Sequence, residues 1–159
     1  MLINGKYRCA ACMAIIESDT AVCRCGCNNA TVENAFHCLQ IGYEVVNQYV
    51  IGRVIGEGGF GITYVGWDKD LNIKVAIKEF FMNGFATRDA TISEEISASL
   101  NDGENGELFS INREKFINEA RILANFKDES GIVDIFRFFK ANNTAYIVME
   151  FVEGRTLKE

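Results

Sequence analysis

Stretches of apolar residues near the middle of the chain have the pattern of β-strands. Residues 49–55 and 62–67 are rich in aromatic and β-branched side chains, and a glycine-rich segment at 56–61 connects them. Residues 68–72 are polar and turn-forming, and residues 73–81 are again strand-like. The pattern therefore predicts an antiparallel hairpin with a glycine-rich tip, followed by a third strand.

A polar insert and a helix are predicted next. Residues 82–111 are polar and include Asn-Asp-Gly-Glu-Asn-Gly at 101–106, which favours a long loop. Asn112 is a candidate N-cap for a helix that runs to about residue 127. Helical spacing places four residues on one face of it: Phe116, Ala120, Leu123 and Lys127.

Two further strands complete the predicted fold. They are expected at residues 132–140 and 146–151, joined by a turn at Asn142 and Asn143. The prediction is an α+β fold, in which a five-stranded antiparallel sheet carries one packed helix.

The start of the chain differs in composition from the rest. All six cysteines lie between Cys9 and Cys38. We therefore predict two parts: a cysteine-rich segment, residues 1–40, and a second domain, residues 41–159.

Charge and hydropathy narrow the function classes. The net charge of −6 argues against nucleic-acid binding, which requires a basic surface. No apolar run reaches the length of a membrane-spanning helix, and the first residues lack the apolar core of a secretion signal. The expected location is the cytoplasm.

The glycine-rich segment is the first candidate for chemistry. Its Gly-x-Gly-x-x-Gly spacing also occurs in dinucleotide-binding folds, where a helix follows the glycines. Here Ile-Thr-Tyr-Val-Gly-Trp follows Gly61, which indicates a strand, and no Gly-Lys-Ser/Thr motif is present. The glycines can therefore form a hairpin whose backbone approaches phosphate oxygens. The alternative is an ordinary β-hairpin with a flexible turn.

Lys78 and Glu119 are the charged candidates. Lys78 ends the apolar Val-Ala-Ile-Lys run, so it is expected to face a pocket and to need an anionic partner. Glu119 lies next to Ala120 on the predicted helix and can reach towards Lys78. The alternatives are an edge-strand lysine in solvent and a solvated helix glutamate.

Several motifs together resemble bacterial serine/threonine protein kinases of the eukaryotic-like type. They are residues 55–64, which contain the glycine-rich segment, Val-Ala-Ile-Lys-Glu at 75–79, Phe-Ile-Asn-Glu-Ala-Arg-Ile-Leu at 116–123, and Ala-Tyr-Ile-Val-Met-Glu-Phe-Val-Glu-Gly at 145–154. The resemblance covers residues 49–159, the small lobe of that fold, and implies binding of ATP with Mg²⁺. The residues that it implies for ATP binding are Ile55, Gly56, Glu57, Gly58, Gly59, Phe60, Gly61, Thr63, Ala76, Lys78, Met149, Glu150 and Val152.

The resemblance also implies roles for these residues. Lys78 would contact the α- and β-phosphates and Glu119 would pair with Lys78, as the two catalytic residues of this part of the fold. Ile55 and Ala76 would enclose the adenine, Met149 matches the gatekeeper, and residues 150–152 match the hinge. Thr63 departs from the valine that is frequent in the family.

The motifs that complete kinase chemistry are missing from these 159 residues. His-Arg-Asp-x-x-x-x-Asn and Asp-Phe-Gly do not occur, and the single histidine, His37, lies in the cysteine-rich segment. We expect a small lobe truncated at the hinge, with the Mg²⁺ ligands in an absent large lobe. It should show at best weak nucleotide binding and no transfer to a protein substrate. The alternative is a non-catalytic nucleotide- or protein-binding module that docks onto a partner through the cysteine-rich segment and the lobe.

The cysteines resemble a zinc ribbon, which presents four thiolates from two knuckles. The expected ligands are Cys9, Cys12, Cys23 and Cys25, with Cys27 as an alternative and His37 and Cys38 as further candidates. The second knuckle spaces its cysteines by one residue instead of two, and proline is absent. Zinc would be structural or would assist docking. Free thiols or disulfides formed in air are the alternatives.

Overall fold

The computed structural model describes residues 1–88, 93–98, 103–127 and 129–154. The elements in chain order are β1 (Leu2–Ile3), β2 (Lys6–Tyr7), β3 (Glu44–Val45), β4 (Tyr49–Gly58), β5 (Gly61–Asp68), β6 (Ile73–Phe80), β7 (Ala86–Thr87), β8 (Ser97–Ala98), α1 (Gly103–Ala124), β9 (Ile135–Ala141) and β10 (Thr144–Glu150). No helix in the described part of the chain is long and apolar enough to cross a bilayer.

The main sheet has the order β3-β4-β5-β6-β10-β9, and its neighbouring strands are antiparallel. The α+β prediction with five principal strands and one packed helix is confirmed, and the two-residue strand β3 adds a sixth strand at one edge. Asn142 and Asn143 both have positive φ, 51° and 58°, as the tight hairpin between β9 and β10 requires.

The predicted start of the helix was wrong. Helix α1 begins at Gly103, nine residues before Asn112, and ends at Ala124. Asn112 lies inside the helix, where its side-chain amide donates to the carbonyl of Leu108 at 2.8 Å. Tertiary packing explains the extra turns, because Phe109 is buried against Phe80 at a ring distance of 5.1 Å.

The predicted face of the helix was also partly wrong. Phe116 and Ala120 are buried as expected, but Leu123 is 38% exposed and Lys127 lies beyond the helix end. Phe109 and Ile117 complete the buried stripe instead.

The region expected to be a long loop contains regular structure. Strands β7 and β8 pair within it, and the first turns of α1 occupy its end. Residues 89–92 and 99–102, which the loop prediction included, lie outside the described residues.

One face of the sheet carries the helix. Cross-strand pairing places Thr63 opposite Lys78 and Val65 opposite Ala76, so these four side chains share one side, which we call the helix face. The rings of Phe109 and Phe116 contact Phe80 on this side. Lys78 therefore points towards α1.

The other side, the opposite face, is built around a buried carboxylate. Glu79 is fully buried and accepts hydrogen bonds from the Tyr64 hydroxyl at 2.9 Å and the Tyr146 hydroxyl at 2.7 Å. Arg88 forms a two-point ion pair with it from the region after β7. Burial alone would lower the pKa of Arg88, but the hydrogen bonds and charge of Glu79 raise it.

This network also holds the end of the cysteine-rich segment. The Tyr64 hydroxyl accepts from the backbone N–H of Leu39 at 3.0 Å, and Arg88 donates to the carbonyl of His37 at 3.3 Å. Burial and the negative charge of Glu79 raise the pKa of both tyrosines, so they remain donors. Tyr64 and Arg88 thus connect the end of the cysteine-rich segment to the buried carboxylate of Glu79.

The earlier part of the cysteine-rich segment packs on the helix face, at the end distant from α1. Ile3 and Met13 form a small core there with Val50, Val65 and Trp67. The backbone N–H of Arg53 in β4 donates to the carbonyl of Ala10 at 2.8 Å. The segment therefore covers both the surface and the edge of β4.

The side chain of Asn34 stabilises the same edge of β4 through hydrogen bonds to backbone groups. Its buried side chain donates to the carbonyls of Leu39 and Gly52 and accepts from the N–H of Val54 at 3.0 Å. These bonds satisfy backbone groups where the pairing of β4 with β5 is interrupted by a bulge.

We predict that Arg88→Met lowers the free energy of unfolding by about 3–5 kcal/mol, because Glu79 would remain buried without its cation. Urea denaturation followed by circular dichroism measures the change. The control is Lys69→Met, which breaks the partly exposed pair of Lys69 with Glu44 and should cost much less. Equal losses for the two variants would contradict a special role for the buried pair.

Candidate functional site

The glycine-rich segment, residues 56–61, forms the tip of a hairpin, here called the glycine hairpin. Gly58 pairs with Gly61 across the turn, and Gly61 begins strand β5, not a helix. A side chain at Gly56, Gly58 or Gly59 would meet nothing within 4 Å, so the backbone there is open to a ligand. The ring of Phe60 at the tip is 63% exposed.

Lys78 and Glu119 line one cavity of about 340 Å³ together with Phe60. The Lys78 amine lies 5.6 Å from the ring centre of Phe116, which forms part of the same wall. Within the described residues, no ion pair under 4.0 Å joins Lys78 to Glu119. The structure brings the hairpin tip, the lysine and the glutamate to one cavity without closing the ion pair.

Sequence reasoning missed two polar residues of this cavity. Asn112 and Lys115 also line it. Lys115 precedes Glu119 by four positions, so both lie on the same side of α1, and this spacing was the available signal. A second lysine beside Lys78 makes the cavity more favourable for an anion.

The residues assigned to the adenine lie along β5, β6 and β10. Ala76 faces Val65 on one side and Met149 on the other, and Thr63 lies opposite Lys78. The backbone N–H of Glu150 donates to the carbonyl of Asp134 at 2.9 Å. Two of the assigned residues are exposed: Ile55 at 44% and Val152 at 67%.

Four of the six cysteines come together. The sulfur atoms of Cys9, Cys12, Cys23 and Cys25 all lie within 4.8 Å of one another. Among them, the sulfurs of Cys9 and Cys25 are 3.7 Å apart and those of Cys12 and Cys23 are 3.6 Å apart. Tetrahedral zinc with Zn–S bonds of about 2.3 Å places its sulfurs about 3.8 Å apart. The four-cysteine cluster therefore has the dimensions of a tetrahedral metal site.

Cys27 does not belong to the four-cysteine cluster. Its sulfur contacts the side-chain oxygen of Asn29 at 3.9 Å, and its backbone carbonyl accepts from the N–H of Cys23 at 2.8 Å. Its carbonyl thus shapes the second knuckle, while burial and the neighbouring Cys9 raise the pKa of its thiol to about 11.

The pKa values of Cys9 and Cys12 move in opposite directions within the cluster. Burial opposes ionisation of Cys9, but backbone N–H groups of Ala11 and Cys12 and the neighbouring thiols lower its pKa to about 6. Burial and the hydrogen bonds within the cluster raise the pKa of Cys12 to about 12. A divalent cation at the centre would stabilise all four thiolates at once.

His37 and Cys38 lie apart from the four-cysteine cluster. Their ligand atoms lie within 4.8 Å of one another and of the Glu57 carboxylate, which belongs to the glycine hairpin. The Nε2 atom of His37 is 2.9 Å from Oε1 of Glu57. Neither sequence spacing nor periodicity indicated this meeting, because the residues are twenty positions apart.

An antiparallel sheet with a glycine-tipped hairpin, a lysine on the strand that follows the hairpin (β6) and one helix across the same face is the architecture of a protein kinase small lobe. Comparison with known proteins agrees. Serine/threonine-protein kinase PknD of Chlamydia pneumoniae is 30% identical over 113 residues, which are 71% of this chain and 10% of that kinase. Serine/threonine-protein kinase PknA of Nostoc sp. is 27% identical over 114 residues, 70% of this chain and 17% of that kinase.

A solved structure, the PpkA-294 apo form, matches with a TM-score of 0.68 and 37% identity, over 77% of this chain and 41% of that chain. No family model matches the chain. The homologues are thus bacterial serine/threonine protein kinases, and the resemblance carried by the sequence motifs is confirmed. The chain spans only 10–17% of the length of these curated relatives.

We predict that Gly61→Ala lowers the free energy of unfolding by about 1–3 kcal/mol. A Cβ there would lie 2.8 Å from the carbonyl oxygen of Glu79, so β5 and β6 would have to separate beside Lys78. Gly58→Ala is the control, because a Cβ at Gly58 meets nothing within 4 Å. Chemical denaturation measures both variants, and an equally destabilised Gly58→Ala would show that contact with Glu79 is not the cause.

Proposed function

We propose that residues 41–159 are the ATP-binding small lobe of a serine/threonine protein kinase, which in its full-length form transfers the γ-phosphoryl group of ATP to protein hydroxyls. One observation carries the proposal: the glycine hairpin, Lys78 and Glu119 share one cavity. Kinase chemistry depends on positioning and electrostatics around the phosphates, and these three features supply the positioning from this side.

Electrostatics favour a polyphosphate in this cavity. Lys78 and Lys115 bring two cations to it against the single carboxylate of Glu119. Lys78 is not engaged by Glu119 within 4.0 Å, so its amine is available to an anion. The open backbone at Gly56, Gly58 and Gly59 lets phosphate oxygens approach N–H groups directly. Once phosphates hold Lys78, Glu119 is positioned to pair with its remaining hydrogens.

The two magnesium-binding motifs of protein kinases are not among these 159 residues. Magnesium would therefore reach this lobe only as the counter-ion of bound ATP. The lobe's own residues hold and orient the nucleotide, and they supply no proton acceptor for a substrate hydroxyl.

The second candidate is a non-catalytic docking module. Exposed apolar side chains on the outer surface of α1 favour it, and they include Leu108, Ile111 and Ile122. As a protein-docking module, this second candidate does not require ATP to bind at Lys78.

We further propose that the four-cysteine cluster binds zinc. Four thiolates occupy all positions of a tetrahedral ion, so the site is closed and its role is structural. The first knuckle supplies Ala10 and Met13, which contact β4 directly. Zinc would thus stabilise the surface on which β4 rests.

Ligand-observed NMR titration with ATP and magnesium tests whether the cavity at Lys78 binds the nucleotide. The chain should bind ATP, and Lys78→Ala should weaken binding at least about tenfold, or about 1.4 kcal/mol. Lys69→Ala, a lysine at the far turn, should leave it unchanged. With labelled ATP and a generic protein substrate, the chain should transfer no phosphate. Equal affinity of Lys78→Ala and the parent would favour the docking module. Sustained transfer above the Lys78→Ala level would contradict the assignment of a lobe that lacks the catalytic loop and Asp-Phe-Gly.

The zinc site is tested by absorption spectroscopy of anaerobically purified protein loaded with Co²⁺. The parent and Cys27→Ser should both show the intense thiolate-to-cobalt absorption of a four-sulfur site, and Cys12→Ser should lose most of it. Cys12→Ser should also unfold at lower denaturant concentration, because the knuckle supports β4. An unchanged spectrum in Cys12→Ser, or its loss in Cys27→Ser, would assign the ligands differently.

A further inference from the structure

The groups of His37, Cys38 and Glu57 converge on the opposite face of the sheet, away from both the four-cysteine cluster and the Lys78 cavity. We propose that these three residues form a second metal site, which takes a divalent transition ion of the zinc class. The site joins the end of the cysteine-rich segment to the glycine hairpin.

The distances suit such an ion. Bonds of about 2.0–2.3 Å to nitrogen, oxygen and sulfur place tetrahedral ligand atoms roughly 3.3–3.8 Å apart. Here Nε2 of His37 and Oε1 of Glu57 are 2.9 Å apart, and all three ligand atoms lie within 4.8 Å of one another. Because Glu57 is exposed, its carboxylate has room to move away from His37 and admit a metal between them.

Two of the three ligands are held in place before any metal binds. The N–H of Cys38 donates to the carbonyl of Ala35 at 2.8 Å, and the carbonyl of His37 accepts from Arg88. The N–H of Leu39 donates to Tyr64 at 3.0 Å. The imidazole of His37 also packs against Phe81, with ring centres 5.7 Å apart. Such prior order lowers the entropy cost of collecting the ligands.

The donor set identifies the class of ion. Imidazole nitrogen, thiolate and carboxylate together suit zinc and similar borderline ions better than calcium or magnesium. A thiolate at Cys38 and the carboxylate of Glu57 would match the charge of a divalent ion. The positive charge of nearby Arg88 is already neutralised by Glu79.

A fourth position remains open. A cavity of about 500 Å³ adjoins the site and is lined by His37 and Glu57, together with Phe36, Phe81 and Asn83. Water or an exchangeable ligand can complete the coordination there, in contrast to the closed set of four cysteines. An open site of this kind exchanges its ion more readily than a closed one.

The test titrates the full chain, stripped of metal under reducing conditions, with Co²⁺ or Zn²⁺ alone. The parent and Cys27→Ser should bind two equivalents. Glu57→Gln should bind the second equivalent at least about tenfold more weakly, while the four-sulfur absorption is unchanged. Cys38→Ala should bind one equivalent and lose the weaker absorption that comes from a single thiolate.

Glu57 is exposed at the hairpin, and glutamine keeps a hydrogen bond to His37, so Glu57→Gln is expected to fold normally. Glu57→Gln therefore removes a metal ligand and keeps the contact between residue 57 and His37. A parent chain that binds a single equivalent, lost in Cys12→Ser and retained in Glu57→Gln, would overturn the proposal and leave His37 and Glu57 as a simple ion pair. Two equivalents that persist in Glu57→Gln and Cys38→Ala with unchanged affinity would overturn it as well.

Discussion

The buried carboxylate of Glu79 determines where Lys78 points. Successive residues of a strand face opposite sides, so anchoring Glu79 among Tyr64, Tyr146 and Arg88 directs its neighbour to the helix face. A shift of β6 by one residue would place the lysine in the interior and the carboxylate in the cavity. Because a charge left without partners in the interior is very unfavourable, the network excludes that register. The placement of the candidate phosphate-binding lysine thus depends on residues on the other side of the sheet.

The elements that could be predicted from the sequence depend on local patterns. The hairpin at Asn142 was predictable, because asparagine accepts the positive φ angles that its tight turn requires. The hairpin at Gly58 was predictable because strand-like residues flank the glycines on both sides. The strands were predictable because β-branched and aromatic residues cluster in them. Lys78 and Glu119 were predictable because the spacing of the motifs indicates that both residues face the same cavity. The distance between their charged groups was not predictable, because it depends on how closely α1 packs on the sheet.

The elements that sequence reasoning missed depend on contacts between distant residues. The helix begins at Gly103 because Phe109 finds a place beside Phe80, and the glycines and asparagine of its first turns gave no hint of this. Arg88 looked like part of a solvated insert, yet it is the partner of a buried carboxylate. His37 and Cys38 were grouped with the cysteines by proximity in sequence, whereas folding brings them to Glu57.

The first cysteine knuckle packs directly on the backbone of a glycine in β4. A Cβ at Gly52 would lie 2.5 Å from the methyl carbon of Met13 and 2.6 Å from the carbonyl oxygen of Ala10, so this close contact leaves no room for a side chain at position 52. A polypeptide shortened to begin at residue 41 would leave Val50 and Trp67 facing water and would vacate the edge that Asn34 occupies. Shortened versions would therefore expose an apolar surface that promotes aggregation. Expression of the isolated lobe should for this reason include the preceding forty residues.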